Sequence, residues 1–496
     1  MRVSRSASAC SLPRVARLSS YVPLHTQIRN VRHSTAAQFA SVAPSPTSAP
    51  RSVPPPPRRL TERPAIPTPA IELRPKAFEL FHYETPFKLH LGGILPHFDV
   101  AYETWGTLNE RKDNVILLTT GLSASPHAKS HLGNRMDGWW EKFIGPGLPV
   151  DTSKYFVICT NVLGGCFGST GPSSIDPIAS EIANKAVRYG VNFPMVTIWD
   201  MVRAQFRLLD HLGIKRVHSV VGSSMGGMQS LAAAALYPDR VDRIISISAA
   251  ARTHPYSIAL RHVQRQVLMN DPGWQGGNYY DTDQFPSNGL SMARQIGTIT
   301  YRSGPEWEVR FGRKRANTKF ERNFKPDFMI ETYLMHQGKK WQGQYDPNSL
   351  LYISRAMDMF DMADRPLRDP NDASALQDPI ASNQRLLDFE TEDPLLLDEK
   401  TQTDYLHTHY LTNGMSTIQC PVLVIGVKSD FLIPSWQQKE IATCLKAAGN
   451  AQVTHFELDG VFGHDTFLLD FANVGTAVKG HLDIDLKHPV PGEWHI

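Results

Sequence analysis

The sequence has 496 residues, of which 41% are hydrophobic and 20% charged. This length and composition fit one large soluble domain, with room for an inserted second one. The formal net charge is +3, but residues 1–61 contain nine arginines and no acidic residue, so the remainder carries about −6. That balance gives no electrostatic case for nucleic acid, and no apolar run approaches the roughly 20 residues of a membrane span. We therefore expect neither nucleic-acid binding nor a membrane-spanning segment.

Cysteine and motif content bears on bound cofactors. The five cysteines show no C-x-x-C spacing, which favours reduced interior residues over disulfides or metal ligands. The sequence also lacks the HExxH, P-loop and dinucleotide-binding patterns. We therefore expect no bound metal and no retained cofactor.

The N-terminal region has the composition of a targeting segment. Residues 1–40 are rich in Arg, Ser and Ala and lack acidic residues, which predicts a mitochondrial transit peptide and a matrix location. A disordered basic tail is the alternative. Residues 41–70 are Pro-rich and cannot bury enough apolar surface to fold, so we predict a disordered linker there.

Strand and helix patterns then alternate along the chain. Three antiparallel strands are predicted at Phe78–Tyr83, Phe87–Leu91 and Phe98–Trp105, with a Gly92-Gly93 turn before the last. Short apolar runs follow, typical of parallel strands covered on both faces. They are Val115–Thr119, Tyr155–Cys159, Val217–Val221, Arg243–Ser248, Pro421–Gly426 and Val453–Leu458. With helices between them, this order indicates the α/β class and a sheet of the α/β-hydrolase type.

The alternation is interrupted by a long insertion. Residues 71–250 and 415–490 are assigned to the core, and residues 251–414 to a segment inserted between two late strands. Helical patterns within it, such as Ser257–Met269 and Leu290–Ile299, predict a helical lid over a site at the sheet.

The stretch Gly222-Ser-Ser-Met-Gly226 lies between an apolar strand and a helix of small residues, and it fits the nucleophile-elbow pattern G-x-S-x-G. Glycines two positions away on each side avoid collisions that a Cβ would cause at so sharp a turn. Ser224 is therefore the predicted nucleophile. The Met225 amide, at the helix N-terminus, and the Leu122 amide, in the loop after Thr119, are the predicted donors of an oxyanion hole.

A nucleophilic serine needs a base and an acid that orients the base, in the chain order Ser, acid, His. Asp430 follows one predicted strand, and His464 follows the strand that ends at Leu458. Both would lie with Ser224 at the carboxyl end of the sheet. The alternatives are a helix or turn cap for Asp430 and an ordinary loop position for His464.

Further motifs together resemble one family. With the elbow, they are similar to motifs of the homoserine/serine O-acyltransferases of α/β-hydrolase fold, in particular the fungal mitochondrial serine enzymes. They span about residues 77 to 485 in the same order: Asn161–Ser174, Asp200–Gln205, Val263–Gln266, Gly276–Tyr280, Ile299–Ser303 and Gly463–Asp465. The resemblance implies a homodimer and a ping-pong reaction. An acyl group would pass from acyl-CoA to Ser224 and then to an amino-acid hydroxyl, with CoA a substrate carrier rather than a cofactor.

The resemblance also assigns substrate contacts. Arg294 would bind the carboxylate of the amino acid and Asp465 its ammonium group, because a zwitterion needs one cation and one anion at fixed positions. A solvated helix charge is the alternative for Arg294. Four residues of the oxyanion loop depart from the homoserine acetyltransferase pattern and would shorten the pocket in favour of serine, which is one methylene smaller: Ser123, Ala124, Ser125 and Pro126.

A second departure concerns the acyl donor. Arg261 stands where acetyl-transferring relatives tend to carry a small polar residue, and its guanidinium would pair with the carboxylate of a succinyl group. An acetyl group would leave that guanidinium unpaired, which is costly in a buried site. A charge on the lid surface is the alternative interpretation.

These observations favour an L-serine O-acyltransferase of cysteine biosynthesis that uses succinyl-CoA in preference to acetyl-CoA. A homoserine O-acetyltransferase of methionine biosynthesis is the first alternative. An esterase would share the elbow and the triad but needs no amino-acid clamp, so Arg294 and Asp465 argue against it. Small molecules are the expected substrates in each case.

Overall fold

The computed structural model describes residues 78–316, 324–366, 369–371 and 408–485. The predicted transit peptide (1–40) and the predicted linker (41–70) lie outside the described residues and stay predictions. None of the described helices is long and apolar enough to cross a membrane.

An eight-stranded sheet organises the described part of the chain. Its strands are β1 (Glu79–Tyr83), β2 (Phe98–Trp105), β3 (Val115–Thr119), β4 (Phe156–Thr160), β5 (Ser219–Ser223), β6 (Ile244–Ile247), β7 (Val422–Val427) and β8 (Val453–Leu458). They lie in the order β1-β2-β4-β3-β5-β6-β7-β8. β2 is antiparallel to β1 and β4, and every other neighbouring pair is parallel. The predicted α/β-hydrolase sheet is confirmed.

One predicted strand lies outside this sheet. Phe87–Lys88 pairs instead with Ile94–Leu95 in a two-stranded ribbon. The reason is the turn at Gly92 and Gly93, whose φ angles of 88° and 85° suit glycine and fold the chain back on itself at once. A second ribbon pairs Ile144–Gly145 with Val150–Asp151.

Helices cover both faces of the sheet. The described helices are α1 (Pro177–Ala183), α2 (Ile198–His211), α3 (Met225–Leu236), α4 (Pro255–Met269), α5 (Ser287–Tyr301), α6 (Gly304–Arg310), α7 (Met329–Trp341), α8 (Pro347–Asp358), α9 (408–414), α10 (Ser435–Ala447), α11 (Thr466–Leu469) and α12 (Phe471–Leu482). Because side chains alternate along a strand, Leu117 belongs to the apolar cluster that includes α2, α3 and α10, whereas its neighbour Ile116 belongs to the cluster that includes α12. Strands β3, β5, β6 and β7 are therefore buried on both sides, whereas β8, at the edge of the sheet, is exposed at three of its six positions.

The insertion between β6 and β7 is helical where it is described. Helices α4 to α9 fall within it, and the predicted patterns Ser257–Met269 and Leu290–Ile299 lie inside α4 and α5. Leu268, Leu290 and Trp341 belong to a small separate core, against which Leu122 of the oxyanion loop packs. The insertion is thereby in contact with the predicted site, and its function as a lid stays a prediction.

Candidate active site

The turn at Ser224 is sharply constrained. Ser224 has φ 57° and ψ −123°, a conformation that residues other than glycine rarely adopt, and its amide donates to the Ile247 carbonyl at 2.8 Å. A Cβ on Gly222 would lie 2.1 Å from the carbonyl oxygen of Gly226, and a Cβ on Gly226 would lie 2.3 Å from that of Thr119. Both positions therefore require glycine, as the elbow pattern predicts.

His464 and Asp430 form a buried pair. His464 Nδ1 lies 2.6 Å from Asp430 Oδ2, and Asp430 Oδ1 accepts the Ile433 amide at 2.9 Å. Burial acts to lower the pKa of His464, but the charge of Asp430 and its hydrogen bond outweigh this effect and raise it above its ordinary value. Nε2 of His464 is buried and has no hydrogen-bond partner among the described residues. This nitrogen is oriented and free to accept a proton.

The three predicted triad residues follow the carboxyl ends of three parallel strands. Ser224 follows β5, Asp430 follows β7, and His464 lies in a short turn after β8. Within the described residues the Ser224 hydroxyl is not hydrogen-bonded to His464 Nε2. Such contacts often tighten only when substrate binds. The assignment of the triad therefore stays a prediction that this arrangement supports.

The predicted oxyanion donors lie at a helix start and in an anchored loop. Met225 begins α3, and amides in a first helical turn lack acceptors within their own helix. The Leu122 carbonyl accepts the Tyr345 hydroxyl at 2.6 Å, and the Ser125 carbonyl accepts Trp139 Nε1–H at 3.0 Å. The loop that carries Leu122 is thus fixed by side chains from two other parts of the chain.

Arg294 and Asp465 carry opposite charges and lie close enough for the charge of Arg294 to affect the pKa of Asp465. The Arg294 guanidinium lies 5.2 Å from the ring centre of Tyr301 and 5.1 Å from that of Trp341, with no ion pair in the described part of the chain. Burial raises the pKa of Asp465, while the charges of Arg302, His464 and Arg294 act to lower it. Arg294 is therefore a cation open to a carboxylate near a partly buried carboxyl group.

Arg302 is a site residue that the sequence analysis did not single out. Its Nη2 lies 3.1 Å from Asp465 Oδ2, and its Nη1 donates to Glu306 Oε1 at 2.8 Å. A substrate ammonium group would therefore share Asp465 with this arginine. Arg302 does lie within Ile299–Ser303, one of the motifs that carry the family resemblance, and that motif was the available signal.

Arg261 is buried at 3% exposure, so the interpretation as a surface charge is wrong. Its Nε donates to Asp358 Oδ1 at 2.6 Å, and Arg265 donates to Asp358 Oδ2 at 2.5 Å. The expectation that an acetyl donor leaves the guanidinium wholly unpaired is therefore also wrong. Even so, two arginines share one carboxylate, and Arg261 Nη2 is buried without a partner among the described residues. An anionic acyl group would supply one.

A possible metal-ligand set lies beside the oxyanion loop. Glu103, His127 and His131 place one ligand atom each within 4.8 Å of one another. However, His131 Nδ1 accepts the Gly133 amide at 3.2 Å, so the neutral ring carries its proton on Nε2 and donates it to Glu103 Oε2 at 3.0 Å. A protonated Nε2 has no lone pair for a metal ion. The group is better described as a hydrogen-bonded cluster.

Comparison with known proteins supports this fold. The family model of the α/β hydrolase fold matches residues 114–471. The chain is 53% identical over 426 residues to a serine O-succinyltransferase of Emericella nidulans, covering 82% of this chain and 81% of the relative. It is 50% identical over 436 residues to a serine O-succinyltransferase of Schizosaccharomyces pombe, covering 82% and 84%.

Solved structures give the same picture. The homoserine O-acetyltransferase of Bacillus anthracis superimposes with a TM-score of 0.67 at 25% identity, over 82% of this chain and 98% of its own. Esterase E22 superimposes with a TM-score of 0.66 at 26% identity, over 82% and 99%. The chain has the fold and the elbow of the α/β hydrolases. It belongs to the homoserine and serine O-acyltransferases within that fold, and it is an acyltransferase.

Proposed function

We propose that this enzyme is an L-serine O-acyltransferase that prefers succinyl-CoA and makes O-acyl-L-serine for cysteine biosynthesis. The observation that carries the proposal is a pair of opposite charges, namely the guanidinium of Arg294, which has no ion pair among the described residues, and the carboxyl group of Asp465, which follows His464 in the chain. An amino acid needs both charges, whereas a neutral ester needs neither. The serine O-succinyltransferases at 53% and 50% identity support the same acceptor.

The proposed reaction has two half-reactions on one nucleophile. His464 Nε2 takes the proton of the Ser224 hydroxyl, whose oxygen attacks the thioester carbon of acyl-CoA. The tetrahedral oxyanion accepts hydrogen bonds from the Leu122 and Met225 amides, each worth roughly 10²- to 10³-fold in rate. CoA then leaves as the thiol with the proton from His464, and the acyl group stays on Ser224 as an ester.

The second half-reaction repeats these steps with the acceptor. The ammonium and carboxylate groups of serine bind at Asp465 and Arg294, so its hydroxyl faces His464 Nε2. That hydroxyl loses its proton to His464 and attacks the acyl-enzyme carbonyl carbon. The Ser224 oxygen leaves with this proton, which returns the enzyme to its starting state. No cofactor takes part.

The preference for a succinyl donor follows from the charge balance around Arg261. The cluster of Arg261, Arg265 and Asp358 holds two cations and one anion in a buried place. Arg261 also acts to lower the pKa of His464, so the cluster lies within electrostatic reach of the predicted base. A succinyl carboxylate at Arg261 Nη2 would balance the charge, and an acetyl methyl group would not.

Homoserine acetylation is the second candidate, since a homoserine O-acetyltransferase shares the fold. Serine and homoserine differ by one methylene, and one methylene in a pocket changes kcat/KM by only about 10- to 200-fold. In this proposal the four loop residues Ser123–Pro126 provide the discrimination between the two acceptors. Purified enzyme should therefore be assayed with acetyl-CoA and succinyl-CoA against serine and homoserine, by following release of free CoA. Faster turnover of homoserine than of serine would overturn the proposed acceptor, and CoA release that is independent of either amino acid would indicate a hydrolase.

Cellular location and assembly are further parts of the proposal. The acid-free, Arg-rich residues 1–40 support import into the mitochondrial matrix. The family resemblance supports a homodimer. Sedimentation of the purified chain at several concentrations would test the dimer, and a constant monomer mass would reject it.

A further inference from the structure

A buried carboxylate holds the far end of the oxyanion loop. Glu103, on β2, is 4% exposed, and its Oε2 faces His127 Nδ1 at 2.8 Å and His131 Nε2 at 3.0 Å. Both histidines belong to the loop that follows β3. The loop is therefore tied to the sheet by two imidazole rings on a single carboxylate oxygen.

The partners of His127 require it to be a cation. Its Nδ1 faces the Glu103 carboxylate, and its Nε2 lies 2.8 Å from the Met136 carbonyl oxygen. Both partners can only accept hydrogen bonds, so both ring nitrogens must donate, and only the imidazolium form carries two protons. His131 differs, since its Nδ1 accepts the Gly133 amide and its ring is satisfied in the neutral form.

Other charged groups near His127 act in the same direction. Burial is the largest influence and acts to lower the pKa of His127. The hydrogen bonds to Glu103 and to Met136, together with the charges of Glu103 and Glu141, outweigh burial and raise it above its ordinary value. Glu141 is itself paired with Lys129 at 2.9 Å. The positive charge on His127 is thus favoured by two carboxylates.

The pair of His127 and Glu103, called the clamp below, lies at one end of the loop segment assigned to the choice between serine and homoserine. At the near end, the Leu122 carbonyl accepts the Tyr345 hydroxyl at 2.6 Å. At the far end, His127 binds Glu103, and only the four residues Ser123–Pro126 separate the two anchors. Releasing His127 would free one end of this short segment, which also carries the predicted oxyanion amide of Leu122.

We propose that the His127 imidazolium, bound to Glu103, is a positioning residue for the loop Ser123–Pro126, and that loss of its proton at alkaline pH loosens the loop and relaxes the choice between serine and homoserine. The choice of acceptor rests on the proposed function. The clamp itself rests on the hydrogen-bond geometry alone. The step is an acid–base equilibrium. The proton leaves Nε2, because the Glu103 carboxylate holds the proton on Nδ1, and the Nε2 lone pair then faces the Met136 carbonyl oxygen.

The test compares full-length wild type, His127→Gln and the matched control His131→Gln between pH 6 and 9. A group whose pKa is raised on folding stabilises below its unfolded pKa, and it loses this contribution as the pH rises through the folded value. The Tm advantage of wild type over His127→Gln should therefore be largest at pH 6 and shrink towards pH 9. The advantage over His131→Gln should not show this decrease.

The kinetic readout is the ratio of kcat/KM for serine to that for homoserine. In the wild type this ratio should fall by up to about 10-fold from pH 6 to 9, within the range one methylene allows. In His127→Gln it should be low at every pH. Serine and homoserine both carry an amino group that titrates at high pH. The effect of this titration on kcat/KM largely cancels in the ratio.

Three results would overturn the proposal. A pH-independent Tm difference for His127→Gln would show that His127 is not a cation. A pH-dependent Tm difference with an unchanged acceptor ratio would show a clamp that stabilises the fold without positioning the loop. An enzyme that acylates neither acceptor would refute the proposed function, and a correct Tm result would then locate the failure there rather than in the charge on His127.

Discussion

Replacing Arg261 by Asn tests the assignment of the acyl donor. In the folded protein, Asp358 keeps the hydrogen bond from Arg265 at 2.5 Å, so the change leaves no buried carboxylate unpaired. What is lost is the unpartnered Nη2 of Arg261, the donor proposed for a succinyl carboxylate. A hydrogen bond to a charged group contributes about 1.5–3 kcal/mol. That corresponds to a loss of about 10- to 150-fold in kcat/KM for succinyl-CoA.

The assay measures kcat/KM for succinyl-CoA and acetyl-CoA at saturating serine. Acetyl-CoA should be used equally well or better by Arg261→Asn, because the variant removes one of two cations that share Asp358. Arg265→Gln is the matched control. It removes a charge from the same cluster, but Arg265 is already bound to Ser354 Oγ at 3.2 Å and to Asp358. An equal loss with both donors in Arg261→Asn, or a wild type that prefers acetyl-CoA, would refute the reasoning.

Four other predictions concern the nucleophile, the base, the acid that orients the base, and the leader. Ser224→Ala should abolish acyl transfer and leave far-UV circular dichroism unchanged, and a labelled acyl group trapped on any other residue of the wild type would reject this nucleophile. Acyl-enzyme formation needs neutral His464, whose pKa is raised, so its rate should increase with pH through a midpoint above the ordinary histidine value. Asp430→Asn should lower the maximal rate and move that midpoint to lower pH, because the variant removes the negative charge that offsets the effect of burial. An unmoved midpoint would contradict this cause. Residues 1–40 fused to a reporter should direct it to mitochondria, and a diffuse cytosolic signal would not fit a transit peptide.

Local patterns in the sequence were sufficient for the sheet and the elbow. Six runs fall on parallel strands. Five of these strands are buried at nearly every position, as apolar strands covered on both faces must be, and the sixth, β8, is an exposed edge strand. The glycines at 222 and 226 are needed because atoms a few residues away, or on the adjacent strand, leave no space for a Cβ. The sequence predicted an antiparallel strand at Phe87–Leu91 but not its partner, Ile94–Leu95, since strand propensity does not specify which strands pair.

The electrostatics of the site were decided by tertiary structure. Arg261 and Asp358 are 97 residues apart in the chain, and Arg302 meets Asp465 only because α5 packs beside the turn after β8. A sequence shows that a charged residue is present, but its partner, its burial and its protonation depend on which elements the fold brings together. The sequence was therefore sufficient to predict the serine, histidine and aspartate of a catalytic triad. The pairing of Arg261 and the charge on His127 follow from packing between distant segments, which no local pattern encodes.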